Sequence, residues 1–106
     1  MDDPVAAQLS AYNNHDIDGF VACYAEDAVI TAPDGTISMA GSAQIRAEYV
    51  KLFDNSPDLR AEVRAQVHAG TWTVHEEQVS RSGQALVVLV AYEVRDGQIC
   101  RVILLR

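Results

Sequence analysis

The chain has 106 residues, 49% of them apolar and 22% charged, and its formal net charge is −7. This length and balance fit one soluble globular domain, residues 1–106, which can bury a core without disulfides or metal ions as staples. The eight basic residues are scattered along an acidic chain. We therefore expect binding neither to nucleic acid nor to an anionic membrane surface, because both depend on clustered Lys and Arg.

Nothing in the sequence predicts passage into or across a membrane. No apolar run approaches the roughly 18 residues of a membrane span, and the start MDDPVAAQLS is acidic where a signal peptide is basic and then apolar. We therefore expect a cytoplasmic protein. Cys23 and Cys100 lie among apolar neighbours, which is typical of free core thiols, although a disulfide between them stays open.

The beginning of the sequence predicts two helices. Asp3 and Pro4 form a helix start, because Asp accepts hydrogen bonds from the first turn and Pro suits the first helical position. Apolar residues at helical spacing extend this helix to about Asn14. Asp16 then caps a short second helix, whose apolar stripe ends at Tyr24.

A strand and a third helix follow. Residues 28–32 have the β-branched side chains of a strand, and residues 33–35, Pro-Asp-Gly, are a turn signal. Residues 36–39 form a short extended piece. Ser42 is expected to cap the third helix, which ends before Pro57 because proline cannot continue a helix.

The second half of the sequence changes to a period of two, which is typical of strands. Turns are predicted at Ala69-Gly70, at a three-residue loop over residues 81–83 and at Asp96-Gly97, a strong hairpin signal. The pattern indicates four strands in an antiparallel meander. With three helices laid on one face of a curved sheet, the fold class is α+β.

Two of these strands are apolar at successive positions, over residues 85–91 and 102–105. Both of their faces therefore need cover. Because the helices can cover only one face, we expect a homodimer formed through the other face of the sheet.

The predicted turns decide which side chains share a face of the sheet. With these loop lengths, Trp72 and Arg101 both lie opposite Tyr92 on the strands that flank it, and Glu76 faces Val88. The face toward the helices then consists of Trp72, Val74, Glu76, Val88, Val90, Tyr92, Arg101 and Ile103. A two-residue loop at Ser82-Gly83 is the alternative, and it would shift the register and turn the last strands over.

An apolar wall with aromatic rings and few ionisable groups is the usual make-up of a small-molecule pocket. Glu76 would be the acid of this wall and could act as a general acid or base. Alternatively, Glu76 pairs with Arg101 or points outward and does no chemistry. The predicted ligand-binding residues are Tyr12, Phe20, Trp72, Tyr92 and Arg101. Trp72 and Tyr92 are also suited to simple core packing.

No metal and no cofactor are expected. His68 and His75 fall on the polar face of two paired strands, roughly 13 Å apart at ~3.3 Å per residue, which is too far to share a metal ion. The sequence contains no Ser or Cys nucleophile motif, glycine-rich phosphate loop or dinucleotide fingerprint.

Three segments carry a resemblance to a known family: NNHDIDGFVACYAEDAVITAPDG, GSAQIRAEY and AYEVRDGQICRV. With the order of the elements, they resemble the nuclear transport factor 2-like superfamily, in particular its SnoaL-like and ketosteroid-isomerase-like branch. The resemblance implies a cone-shaped α+β barrel, commonly dimeric, with a pocket between sheet and helices. Members of the superfamily include isomerases, polyketide cyclases, dehydratases, epoxide hydrolases, transport factors and domains that only bind, so function must be argued from the site.

The resemblance also allows the isomerase residues to be transferred one by one. Ketosteroid isomerisation uses a general-base carboxylate, with a tyrosine and a protonated acid as oxyanion donors. The tyrosine position falls on Gln8, the base on Ala32 and the oxyanion acid on Val90. None of these side chains can act as the general base or as the oxyanion donors of that reaction, so ketosteroid isomerisation is not expected. Asp34 could act as a displaced base at the pocket mouth, although Asp is also favoured in turns for local hydrogen bonding.

Three functions are compatible with the sequence. The first is a domain that binds a small apolar molecule with one or two polar groups. The second is a cofactor-independent isomerase, cyclase or dehydratase that uses Glu76 as general acid or base. The third is a non-catalytic structural or partner-binding dimer whose pocket is filled by its own side chains.

Overall fold

A computed structural model describes residues 3–106 and arranges them in three helices and six strands. In chain order these are α1 (Pro4–Asn13), α2 (Ile17–Ala22), β1 (Tyr24–Thr31), β2 (Ile37–Ala40), α3 (Ser42–Asn55), β3 (Arg60–Ala69), β4 (Trp72–Arg81), β5 (Gln84–Arg95) and β6 (Gln98–Leu104). The predicted order of helices and strands is confirmed.

The six strands form one sheet in the order β2-β1-β6-β5-β4-β3. Strands β3 to β6 are the predicted antiparallel meander, and β1 joins it by pairing parallel to β6. The α+β class, with helices packed on a mainly antiparallel sheet, is confirmed. The sheet is not a closed barrel, because β2 and β3 are its free edges in the part of the chain described.

The helix starts follow the predicted capping chemistry at two of three sites. Asp3 Oδ1 accepts a hydrogen bond from the Val5 amide at 2.9 Å, and Asp16 Oδ1 accepts one from the Gly19 amide at 3.1 Å. Ser42 was predicted to cap α3, and this is wrong. The N-cap is Gly41, whose φ of 87° is a left-handed conformation that glycine adopts without strain.

Asn13 ties the end of α1 to the sheet edge. Its side chain donates to the Ala61 carbonyl at 2.8 Å and accepts from the Ala61 amide at 2.7 Å. The two bonds satisfy a backbone unit of the edge strand β3 that has a strand neighbour on only one side. The open end of the sheet is thereby held against α1.

The loop lengths differ from the predicted ones, and so does the register of the sheet. The first hairpin turns at Gly70-Thr71, because Ala69 pairs with Trp72, so the predicted Ala69-Gly70 turn is wrong. Arg81 pairs with Gln84, which leaves the two-residue loop Ser82-Gly83 and overturns the predicted three-residue loop.

Bulges change the register further. One extra residue in β3, Arg64, lies between the pairs Val63–Glu77 and Ala65–Glu76. A second bulge in β6 adds Cys100, so that Glu93, and not Tyr92, pairs with Arg101. Each bulge moves all later side chains of its strand to the opposite face.

The predicted inner face is therefore partly wrong. Trp72, Glu76 and Arg101 alternate with buried Thr73, Glu77 and Val102, so the first three lie on the outer face of the sheet, away from the helices. Val74 and Ile103 lie on the outer face for the same reason. The predicted inner positions of Val88, Val90 and Tyr92 are confirmed.

Two further features concern the whole chain. None of the helices within residues 3–106 has the length and apolar character needed to cross a membrane. Cys23 and Cys100 are free thiols.

Candidate functional site

A cavity of about 120 Å³ lies between the helices and the inner face of the sheet. Helices α1, α2 and α3 contribute one wall, and strands β1 and β3 to β6 contribute the other. It is lined by Gln8, Leu9, Tyr12, Phe20, Tyr24, Tyr49, Ala61, Glu77, Val79, Val88, Val90, Tyr92, Val102 and Leu104.

The cavity is largely aromatic. All four tyrosines of the chain, Tyr12, Tyr24, Tyr49 and Tyr92, line it. Phe20 lies at the centre of this group, with its ring centroid 4.6 Å from that of Tyr49 and 5.0 Å from that of Tyr24. Tilted contacts of this kind pack rigid surfaces together, so the aromatic wall has a defined shape.

Glu77 is the only charged side chain that lines the cavity among the described residues, and it is 5% exposed. Its Oε2 accepts a hydrogen bond from the Tyr92 hydroxyl at 3.0 Å. The same oxygen lies 3.0 Å from Nδ1 of His75, and since a carboxylate can only accept, the imidazole N–H donates. These two donors offset part of the cost of burying the charge.

The polar contacts continue on both sides of Glu77. His75 is 2% exposed, and its Nε2 lies 2.9 Å from Oε1 of Gln66 on the neighbouring strand. On the other side, the Gln8 amide donates to the Tyr92 oxygen at 3.3 Å, and the Tyr24 hydroxyl donates to Gln8 Oε1 at 3.4 Å. A hydrogen-bonded chain thus runs from α1 across the cavity to the exposed Gln66 on the edge strand β3.

Burial keeps the tyrosine hydroxyls protonated. It raises the pKa of Tyr92 well above 10, and the adjacent Glu77 charge adds to this rise. Burial likewise raises the pKa of Tyr24 and Tyr12, and it raises the pKa of Tyr49 to about 12. Around neutral pH the four tyrosine hydroxyls that line the cavity are therefore neutral.

The structure separates the predicted site residues into two groups. Tyr12, Phe20 and Tyr92 line the cavity, where their part in ligand binding stays a prediction. Glu76 and Trp72 lie on the opposite face of β4. Arg101 lines a different depression, on the outer side of the sheet.

Asp34 lies outside the cavity, in the turn after β1. Its Oδ1 accepts a hydrogen bond from the Thr36 amide at 2.9 Å, and this contact lowers the pKa of its carboxyl. The side chain is exposed. The local hydrogen bonding predicted for Asp in a turn is confirmed, and the placement at a pocket mouth is wrong.

Sequence reasoning missed Glu77 and His75. His75 was assigned to the polar face, and Glu77 was not considered, because the predicted register placed Glu76 inside. Either residue could have been found from the alternative two-residue loop at Ser82-Gly83, which exchanges the two faces of the strand. Gln8 and Val90, which occupy positions transferred from the isomerase, do line the cavity, whereas Ala32 does not.

No group of three or more His, Cys, Asp or Glu side chains within residues 3–106 is arranged to hold a metal ion.

The chain was compared with known families and structures. A family profile described as SnoaL-like domain matches residues 5–102. No curated protein matches the chain. An uncharacterised cystatin-fold protein from Novosphingobium aromaticivorans superposes with a TM-score of 0.91 at 23% identity, over 97% of this chain and 95% of the other.

Two further similar structures have proposed activities. A proposed polyketide cyclase from Sinorhizobium meliloti has a TM-score of 0.82 at 22% identity, covering 97% of this chain and 94% of that one. A proposed ketosteroid isomerase from Kribbella flavida has a TM-score of 0.77 at 22% identity, covering 94% and 72%. At these identities the likeness concerns the fold.

The tyrosine cluster predicts a loss of stability at alkaline pH. In the unfolded chain tyrosines ionise near pH ~10, whereas the folded chain holds their protons to higher pH, up to about 12 for Tyr49. The unfolded state therefore binds fewer protons above pH ~10, and the free energy of unfolding should fall steeply from there upward. Urea unfolding at a series of pH values measures the free energy of unfolding, and phenolate absorbance measures the ionisation of the tyrosines.

Tyr49→Phe provides the comparison for that experiment, because it removes one of the shifted groups. Its free energy of unfolding should fall less steeply with pH than that of the wild type. Tyrosines that ionise near pH ~10 in a protein that is still folded would contradict the analysis.

Proposed function

The chain belongs to the SnoaL-like domain family, and from its cavity we propose that it binds a small ring-shaped molecule with a polar group directed at Glu77. The observation that carries the proposal is a buried carboxylate that opens onto an otherwise aromatic and aliphatic cavity. A cavity of this kind favours a ligand with an apolar body and one hydrogen-bond donor.

The volume of the cavity limits the size of the ligand. An apolar cavity of about 150 Å³ in another protein accommodates benzene, and the cavity here measures about 120 Å³. The inner part of a ligand is therefore about the size of one six-membered ring. Because the chain's own side chains do not fill this space, the geometry favours binding over a purely structural domain.

Glu77 has one oxygen available for the ligand. Both of its hydrogen bonds, from Tyr92 and His75, reach Oε2, and no partner for Oε1 is found among the described residues. A ligand hydroxyl or N–H can donate to Oε1. A hydrogen bond to a charged group is typically worth about 1.5–3 kcal/mol.

The same geometry supports a second candidate function, in which the domain moves a proton. Glu77 takes the place that was predicted for Glu76, and His75 holds the carboxylate in position. No cofactor is needed for such a step. Two structurally similar proteins are a proposed cyclase and a proposed isomerase, which is consistent with this chemistry.

The outer face of the sheet supports the proposal of a homodimer. Val67 on β3 is 66% exposed, and Val87 and Leu89 in the middle of β5 are 39% and 37% exposed. Val87 and Leu89 lie on the face away from the helices, since Leu86, Val88 and Val90 alternate with them toward the cavity side. Val67 lies on the same outer face, because it pairs with Val74. Burying this apolar face against a second copy would stabilise it.

The first prediction tests ligand binding with phenol, a six-membered ring with one donor. Glu77→Gln should weaken phenol binding about 5–30-fold, because the acceptor loses its charge, equivalent to about 1–2 kcal/mol. Toluene, which lacks the donor, should bind with an affinity that the substitution leaves nearly unchanged. NMR titration measures both ligands.

Glu76→Gln is the matched control, because it makes the same chemical change one residue away on the outer face. It should bind phenol as the wild type does. A larger loss with Glu76→Gln than with Glu77→Gln would reject the assigned site.

The second prediction tests proton transfer with cyclohexanone in deuterated water. Glu77 would remove a C–H proton next to the carbonyl, the electron pair would move to the carbonyl oxygen, and a solvent deuteron would return to carbon. Wild-type protein should accelerate exchange above the buffer rate, and Glu77→Gln should remove most of that acceleration, since general-base catalysis typically contributes about 10²–10⁴-fold. If cyclohexanone exchanges only at the buffer rate in the presence of wild-type protein, proton transfer is refuted and ligand binding remains the proposed function.

The third prediction concerns the oligomeric state. Leu89→Glu should shift the protein from dimer to monomer, because a charge would have to be buried in the apolar interface. Leu86→Glu changes the same residue type on the opposite face of the same strand, where Leu86 is 66% exposed, and should leave the dimer intact. Light scattering after size exclusion distinguishes the two outcomes, and a monomeric wild type at micromolar concentration would refute the dimer.

A further inference from the structure

A second depression adjoins the cavity. It measures about 460 Å³ and shares Tyr12 and Val79 with the cavity. Leu52 and Leu86 add to its apolar wall, and Arg81 lies on its rim. We call this depression the outer pocket.

Arg81 is the only charged residue that lines the outer pocket within residues 3–106. It is the last residue of β4, directly before the Ser82-Gly83 turn, and it is exposed. Four ion pairs occur in the described chain, and their basic members are Arg46, Lys51, His75 and Arg95. Among the described residues, Arg81 therefore has no acidic partner within 4.0 Å.

The chain as a whole carries a net charge of −7. An unpaired guanidinium beside an apolar wall is a site for a carboxylate, because its planar donors match the two oxygens of that group. The guanidinium also acts on the cavity itself, since its charge opposes the rise in the pKa of Tyr12 that burial causes. Arg81 is thus electrostatically coupled to the residue that the outer pocket and the cavity share.

The two ends of the combined pocket carry opposite charges. Glu77, at the inner end, would repel an anion and accept from a donor, whereas Arg81, at the outer end, would attract an anion. A ligand with a donor at one end and a carboxylate at the other would be bound in one orientation only.

From these contacts we infer that the natural ligand is a small amphiphilic carboxylate, with its ring in the cavity and its carboxylate on Arg81. The inference rests on the proposed binding function and specifies its ligand class. A ring alone fills the cavity, so the chain that carries the carboxylate extends through the outer pocket.

The test compares two probes that differ only in the terminal group, a carboxylate or a neutral hydroxymethyl group: 3-(4-hydroxyphenyl)propanoate and 3-(4-hydroxyphenyl)propan-1-ol. Both carry the phenol that Glu77 recognises. Wild-type protein should bind the carboxylate about tenfold more tightly than the alcohol in low salt, and this preference should shrink as salt screens the exposed charge. Arg81→Ala and Arg81→Gln should both bind the two probes with equal affinity.

Arg46→Ala is the control, because it removes the same charge from the exposed surface of α3, outside the outer pocket. It should keep the tenfold preference. Equal binding of both probes by wild-type protein, or a preference that survives in both Arg81 variants, overturns the inference and leaves the proposed function standing. Failure of wild-type protein to bind either probe overturns the proposed function together with it.

Discussion

The two-residue turn at Ser82-Gly83 determines what the cavity contains. Both residues have positive φ angles, 53° and 76°, which is the backbone twist that lets two residues join antiparallel strands. The turn fixes Arg81 opposite Gln84, and hence Glu77 opposite Val88. Because side chains alternate along a strand, this register alone brings Glu77, and not Glu76, to the Tyr92 hydroxyl. A register shift of one residue would turn Glu77 to the outer face of the sheet and bring Glu76 into the cavity.

The buried carboxylate is costly for a fold of this size. A carboxylate removed from water loses several kcal/mol of solvation, which partners only partly return. Tyr92 and His75 are these partners, and Gln8 and Gln66 hold them in turn. An apolar side chain at position 77 would be expected to stabilise the fold at least as well. The charged side chain therefore points to a purpose other than stability, which is why ligand recognition is proposed to centre on Glu77.

The sequence pattern was sufficient to predict the type and order of the helices and strands. The caps at Asp3 and Asp16, the Asp96-Gly97 turn and the change to a period of two depend on local chemistry, and each was confirmed. The register could not be predicted in the same way. Ser82 adopts a left-handed φ that is uncommon for a residue other than glycine.

Two bulges and a pair of adjacent acids hid the site. The extra residues Arg64 and Cys100 each exchange the faces of a strand, and nothing in their side chains marks a bulge. The sequence HEEQ places Glu76 beside Glu77, so an error of one residue substitutes one glutamate for another. The prediction of one inner carboxylate was therefore right in kind, but it named the wrong residue.

The positions transferred from the isomerase do not locate the carboxylate of this cavity either. Val90 lies in the cavity without an acid, and the carboxylate comes from Glu77 on the adjacent strand β4. A similar polar centre can therefore be built from a different strand of the same fold, so a family's residue positions do not define the chemistry of this cavity.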